Sequence, residues 1–90
     1  MSKITVKKPT QQELDALDIK SWSPWSCGVS KFDWEYSDEE MCYIFEGQVT
    51  VTTAIETVEI NAGDLVTFPK GLKCSWDIKK AIRKVYKFNY

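Results

Sequence analysis

The chain contains no histidine among its 90 residues. That absence removes the commonest metal-ligating side chain and the usual proton shuttle near neutral pH. Cysteine is scarce as well. Cys27, Cys42 and Cys74 form no CxxC pair, and their odd number argues against a disulfide framework. No stretch approaches the ~20 consecutive apolar residues that span a bilayer. The opening MSKITVKKPTQQELDALDIK has no continuous apolar run of the kind that begins a secretory signal. An excess of one charge is also missing, since 12 Lys+Arg face 13 Asp+Glu for a formal net charge of -1. That balance excludes the net basic face on which nucleic-acid binding normally rests. The one basic concentration, Lys79, Lys80, Arg83, Lys84 and Lys87, reads as a solvated strand edge that discourages edge pairing. These absences predict a protein of the cytoplasm or another soluble intracellular compartment, with neither nucleic-acid nor membrane partners.

What the chain does have is apolar and aromatic content, at 43% and 13%, with four tryptophans. A single domain over residues 1–90 can therefore build a core. A chain of this length buries only about 60–65% of its unfolded surface, so pairing with a second copy to form a homodimer is expected. The segment ITV at 4–6 reads as a short strand closed by Pro9. Thr10 then stands three residues before Glu13, the reciprocal capping-box arrangement, and predicts a helix over 11–17. Beyond it the period becomes twofold. SWSPWSCG is read as irregular, with Trp22 and Trp25 flanking Pro24 and packing at one end of the fold or in a dimer interface. VSKFDWEY, MCYIFEG, QVTVTT, TVEI, LVTFP, LKCSWDI and AIRKVYKFNY are read as separate strands, divided by turns that include Gly47. Alternation places Leu72, Cys74, Trp76 and Ile78 on one face, and Phe32, Trp34 and Tyr36 together. Many short strands with Gly and Pro between them indicate an all-β sandwich or barrel.

Two spacing patterns sharpen this. Gly28, Trp34, Tyr36, Glu40 and Gly47 stand at the intervals G-x5-H-x-H-x3-E-x6-G, and Gly63, Pro69, Gly71, Cys74 and Ile78 at G-x5-P-x-G-x2-H-x3-N. Through these motifs, at 28–47 and 63–78, the chain resembles the cupin superfamily. The stretches FDWEY, EMCYIFEG and GDLVTFPKGLKCSW resemble a subgroup of very small cupins (RmlC-like) related to ureidoglycine aminohydrolase and ethanolamine-utilisation cupins. The resemblance implies a single-domain jelly-roll β-barrel with one short helix outside it. It also implies where a site lies. The positions that carry three histidines in that family hold Trp34, Tyr36 and Cys74 here, and only Glu40 remains. An indole offers an N–H and no lone pair for a metal, so no metal and no other cofactor is expected.

The resemblance points Glu40 into the barrel mouth beside Trp34, Tyr36 and Cys74. An apolar cavity raises a carboxyl pKa, which suits acid–base work at neutral pH; Glu40 and Tyr36 are the candidate catalytic pair. The opposing structural reading has Glu40 at a solvated opening, or held by hydrogen bonds from Tyr36 and the Trp34 indole. Trp34, Tyr36, Glu40, Cys74 and Trp76 are the candidate ligand-binding residues. Trp34 and Tyr36, together with Glu40, are expected to form an aromatic slot with one acidic end, suited to a small cationic or ring-containing molecule. Cys74 has no histidine to deprotonate it and reads better as a small buried residue than as a nucleophile. The function these residues predict is metal-independent binding of a small organic metabolite, with acid–base catalysis by Glu40 open. The kinship with ureidoglycine aminohydrolase implies a nitrogenous one. Two alternatives stand beside it: a non-catalytic module whose barrel is filled, and a metalloenzyme using Glu40, Tyr36, Cys74 and Cys42.

Overall fold

The computed structural model describes residues 3–89. Seven strands and one α-helix follow in the order β1 (Thr5–Lys7), α1 (Gln11–Leu17), β2 (Ser23–Cys27), β3 (Ser30–Glu35), β4 (Glu39–Thr52), β5 (Thr57–Asn61), β6 (Leu65–Phe68) and β7 (Lys73–Asn89), with a short 3-10 turn at Ile19–Ser21. All pairings are antiparallel. The fold is an all-β jelly roll.

β4 and β7 run past each other along nearly their whole lengths, from Glu39↔Asn89 to Thr52↔Ser75. Each crosses from one layer to the other. In the first layer, β1, β6, the 39–46 half of β4, the 83–89 half of β7 and β2 lie side by side. In the second, β5, the 48–52 part of β4, the 73–80 part of β7 and β3 do so. The two layers face each other over a core that contains Cys42, Ile44, Val49, Val51, Ile60, Val66, Phe68, Trp76, Ile78 and Ile82. The expected alternation holds: Cys74, Trp76 and Ile78 are buried and Leu72 packs against the same core.

Two of the expected breaks are continuous strand. MCYIFEG and QVTVTT form one strand, because Gly47 is a bulge and not a turn; the β4–β7 register shifts on both sides of it. Its φ of 107° lies in a region that side chains disfavour. LKCSWDI and AIRKVYKFNY likewise fuse into β7, with Tyr90 outside the described residues. The segment expected to be irregular, SWSPWSCG, supplies β2, paired to β7 with Pro24 opposite Val85. Proline is tolerated there because β2 has a strand on one side only. Of the basic cluster, Arg83 and Lys84 lie between β4 and β2, whereas Lys79, Lys80 and Lys87 fall outside the β2 and β3 registers.

The helix forms as its capping box dictates. Thr10 Oγ1 accepts from the Glu13 N–H and Glu13 Oε1 accepts from the Thr10 N–H, each at 3.1 Å. It ends at Asp18, in the left-handed region at φ 53°. Leu14, Ile19 and Trp22 join Leu65 in a second cluster, against Met41, Tyr43 and Val85. Those β4 and β7 residues alternate with the inward Glu40, Cys42, Ile44 and Lys84. The helix therefore covers the outer face of the first layer and leaves the interior to the strands.

Candidate functional site

Between the layers lies a cavity of about 230 Å³. β2 contributes Trp25, β3 contributes Phe32 and Trp34, the loop after it Tyr36, β4 contributes Glu40, and β7 contributes Trp76, Lys84, Tyr86 and Phe88. Residues 32, 34 and 36, and again 84, 86 and 88, are spaced by two, so strand alternation aims each set to one side.

The walls are locked by aromatic packing. Tyr36 is fixed by its backbone, its N–H on the Leu72 carbonyl at 2.9 Å and its carbonyl accepting from Gly71 at 2.7 Å. Its ring stacks on Phe68 with centroids 4.7 Å apart and planes 9° off parallel. Trp76 stacks on Phe32 at 6.0 Å and meets Trp25 edge-on at 6.0 Å. Trp34 stands at the rim, 53% exposed, edge-on to Tyr36 at 6.5 Å.

The polar floor is an ion pair. Lys84 Nζ donates to Glu40 Oε2 at 3.0 Å, and the two side chains are only 6% and 8% exposed. The ammonium also lies 4.9 Å from the Trp76 ring centroid, 5.0 Å from that of Trp25 and 5.6 Å from that of Tyr86. A carboxylate and three ring faces together offset the cost of taking this charge from water. Lys84 thus leaves the expected solvated cluster, while Lys79, Lys80, Arg83 and Lys87 are exposed. Glu40 is neither a lone carboxylate in an apolar cavity nor held by Tyr36 and Trp34; its partner is Lys84. The slot expected for a cationic ligand already holds a cation, the chain's own ammonium.

Burial, then the charge of Glu40, pushes the Tyr36 hydroxyl far above its ordinary pKa, so this phenol donates and does not act as a base. The buried indole N–H of Trp76 lies beside the Tyr36 hydroxyl and the Cys74 thiol, with neither in well-formed hydrogen-bond geometry. Cys74 is buried in the same core as Tyr36 and Trp76, close enough to act on the Tyr36 hydroxyl. Its thiol lies 3.6 Å from the Trp34 carbonyl oxygen, and the residue also lines an open depression with Asp33, Trp34, Glu35 and Thr52. Burial raises its pKa, as burial raises that of Cys42 to about 12 despite the opposing effect of Lys84. Neither thiol is poised as a nucleophile.

The donor set does not fit the metal that the resemblance carries with it. Glu40 is committed to Lys84, whose ammonium would face an incoming cation. Cys42 and Tyr36 are held protonated by burial. Among the described residues no group of three or more Cys, Asp or Glu side chains is arranged around a metal-sized space. Of the residues expected from the sequence, Trp34, Tyr36, Glu40 and Trp76 line this cavity; Trp25, Phe32, Lys84, Tyr86 and Phe88 line it too and were not expected there. The alternation of Ile82, Lys84, Tyr86 and Phe88, one row of β7, was the available signal for the last three.

Comparison with known proteins fits this architecture. The family model described as "EutQ-like cupin domain" matches residues 14–86. A DUF861 family protein from Thermotoga maritima is 44% identical over 97% of this chain and 100% of its own, with a TM-score of 0.95. The EutQ protein of Clostridium difficile is 21% identical over 92% of this chain and 64% of its own, TM-score 0.66. An ethanolamine utilisation protein Q from Salmonella typhimurium is 19% identical over 94% and 68%, TM-score 0.61. These last two share the fold with this chain, which spans about two thirds of each. No curated protein matches this chain. No helix among the described residues is long and apolar enough to cross a membrane. With most of its length matched and the jelly roll in place, the chain belongs to the family of EutQ-like cupin domains.

Proposed function

We propose that this cupin binds a small organic molecule between its two layers, without a metal. The observation that carries the reading is the 230 Å³ cavity, whose walls are aromatic and whose only charged groups among the described residues are Glu40 and Lys84. Ligand sites combine an apolar enclosure with a few polar groups that fix orientation, and this one has both. A barrel filled by its own side chains would lack that space. A ring-containing, nitrogen-bearing metabolite suits the walls. If a proton is exchanged, Glu40 is placed to take part, with Lys84 as its neighbour and Tyr36 as a donor. Cys74 contributes through Trp34, whose carbonyl oxygen it approaches.

The four tryptophans make a direct test. Trp25, Trp34 and Trp76 line the cavity, whereas Trp22 belongs to the cluster beneath the helix. In a fragment screen followed by indole N–H resonances, bound fragments are expected to shift the first three and leave Trp22 in place. Fragments that move only Trp22, or none at all, would remove the site.

The protein also pairs with a second copy in this reading, because Val29 at 70%, Ile55 at 41% and Trp34 leave apolar surface exposed. Sedimentation at micromolar concentration is expected to give the mass of two chains; the mass of one chain would end this proposal. Three unpaired cysteines are in keeping with a reducing compartment, and we place the protein in the cytoplasm.

A further inference from the structure

An ammonium has three N–H donors, and Lys84 gives one to Glu40. Its remaining surroundings are the faces of Trp25, Trp76 and Tyr86, and it has no other acceptor among the described residues. Glu40 Oε2 accepts from Lys84, and Oε1 accepts from no described residue. Buried polar groups normally have their hydrogen bonds filled, so this floor holds spare donors and a spare acceptor side by side. Both face the cavity they line.

The pair is neutral as a unit, and this selects among ligands. A cationic head group would meet Lys84 at the end of the slot. An anionic head group would meet Glu40. Either would also lose its hydration in a mostly aromatic enclosure, which is costly for a charge and much less so for an uncharged polar group. An amide edge, with its carbonyl oxygen next to an N–H, answers both members at once: the oxygen accepts from Lys84 and the N–H donates to Glu40. The volume of 230 Å³ corresponds to about eight water-sized groups, so one ring with one such group fills it.

We infer that the ligand is a planar single-ring molecule bearing an uncharged amide-type edge, bound with that edge on the Lys84–Glu40 pair and its ring against the aromatic walls. This rests on the ligand-site reading above and names the chemical class.

The test uses four probes with the same ring: benzamide, benzoate, benzylamine and toluene, titrated into the full chain at pH 7 and followed by the tryptophan indole resonances. Benzamide is expected to bind at least about tenfold more tightly than either charged probe, and more tightly than toluene, on the strength of its two hydrogen bonds to charged groups. Benzoate or benzylamine binding as well as benzamide would overturn the inference. Toluene matching benzamide would also overturn it while leaving the cavity as a ligand site. No response of Trp25, Trp34 or Trp76 to any probe would bring down both. In the double variant Lys84→Met/Glu40→Leu, benzamide is expected to fall to the affinity of toluene. A surviving preference for benzamide in that variant would take the pair out of recognition.

Discussion

Lys84→Met, with Glu40 left in place, is expected to lower the unfolding free energy by about 3–5 kcal/mol. The substitution keeps much of the side-chain length and removes the charge. It leaves the Glu40 carboxylate, 8% exposed, without the ammonium 3.0 Å away that balances it. It also removes the cation around which Trp25, Trp76 and Tyr86 are gathered. Since small domains are stable by only about 5–15 kcal/mol in total, much of the variant population should unfold in mild urea. Replacing both members, Lys84→Met with Glu40→Leu, should instead lie within about 1 kcal/mol of the parent, because no buried charge is then left alone and apolar replacement of an ion pair is often neutral. Urea denaturation of the two variants decides the matter. A single variant as stable as the parent would mean that the pair is solvated, and that the cavity floor is not a dry recognition surface.

The second large effect is expected at Gly47. An alanine there should cost about 2–4 kcal/mol. The φ of 107° is strained for any side chain, and a methyl group would press on the Ala81 carbonyl and come within 2.8 Å of Ile82 Cδ1. Ala81 and Ile82 belong to β7 at the point where both long strands pass between layers, so the backbone cannot yield without loosening the bend. Gly28 is the control. Its φ is ordinary, and a methyl group there would meet nothing within 4 Å. Gly28→Ala should therefore change stability by no more than about 0.5 kcal/mol. Equal stabilities of the two variants would show that the bend does not depend on close approach at Gly47.

The contrast between these two glycines shows how far local pattern reaches. The helix over 11–17 is readable because its determinants, Thr10 and Glu13, sit within one turn of each other and need no distant partner. The inward row of Cys74, Trp76 and Ile78 is readable because alternation is a property of a single strand. The spacing of Gly28, Trp34, Tyr36, Glu40 and Gly47 carries the resemblance to the cupins, and that resemblance implies where the mouth of the fold lies. Gly47 itself reads as a turn in the sequence, because glycine marks turns and bulges alike, and only pairing with β7 distinguishes them. β2 is hidden for a related reason: Pro24 argues against a strand unless that strand lies at an edge, and edges are set by the order of strands in the sheet.

The amino-acid sequence by itself determined the class of fold and the absence of histidine, and its resemblance to the cupins implied that Trp34, Tyr36, Glu40 and Cys74 stand at one opening. The first two depend on residue identity and on intervals within single strands. Only the tertiary structure decided that the acid of the site is paired, and with what. Lys84 stands 44 residues from Glu40 in the chain, within a run of lysines and arginine that looks uniformly solvated. The β4–β7 register brings the two together on one inner face, and no local pattern encodes that register. Charge compensation across a cavity is a long-range property, so the step from an acidic slot to a neutral donor–acceptor pair required the fold.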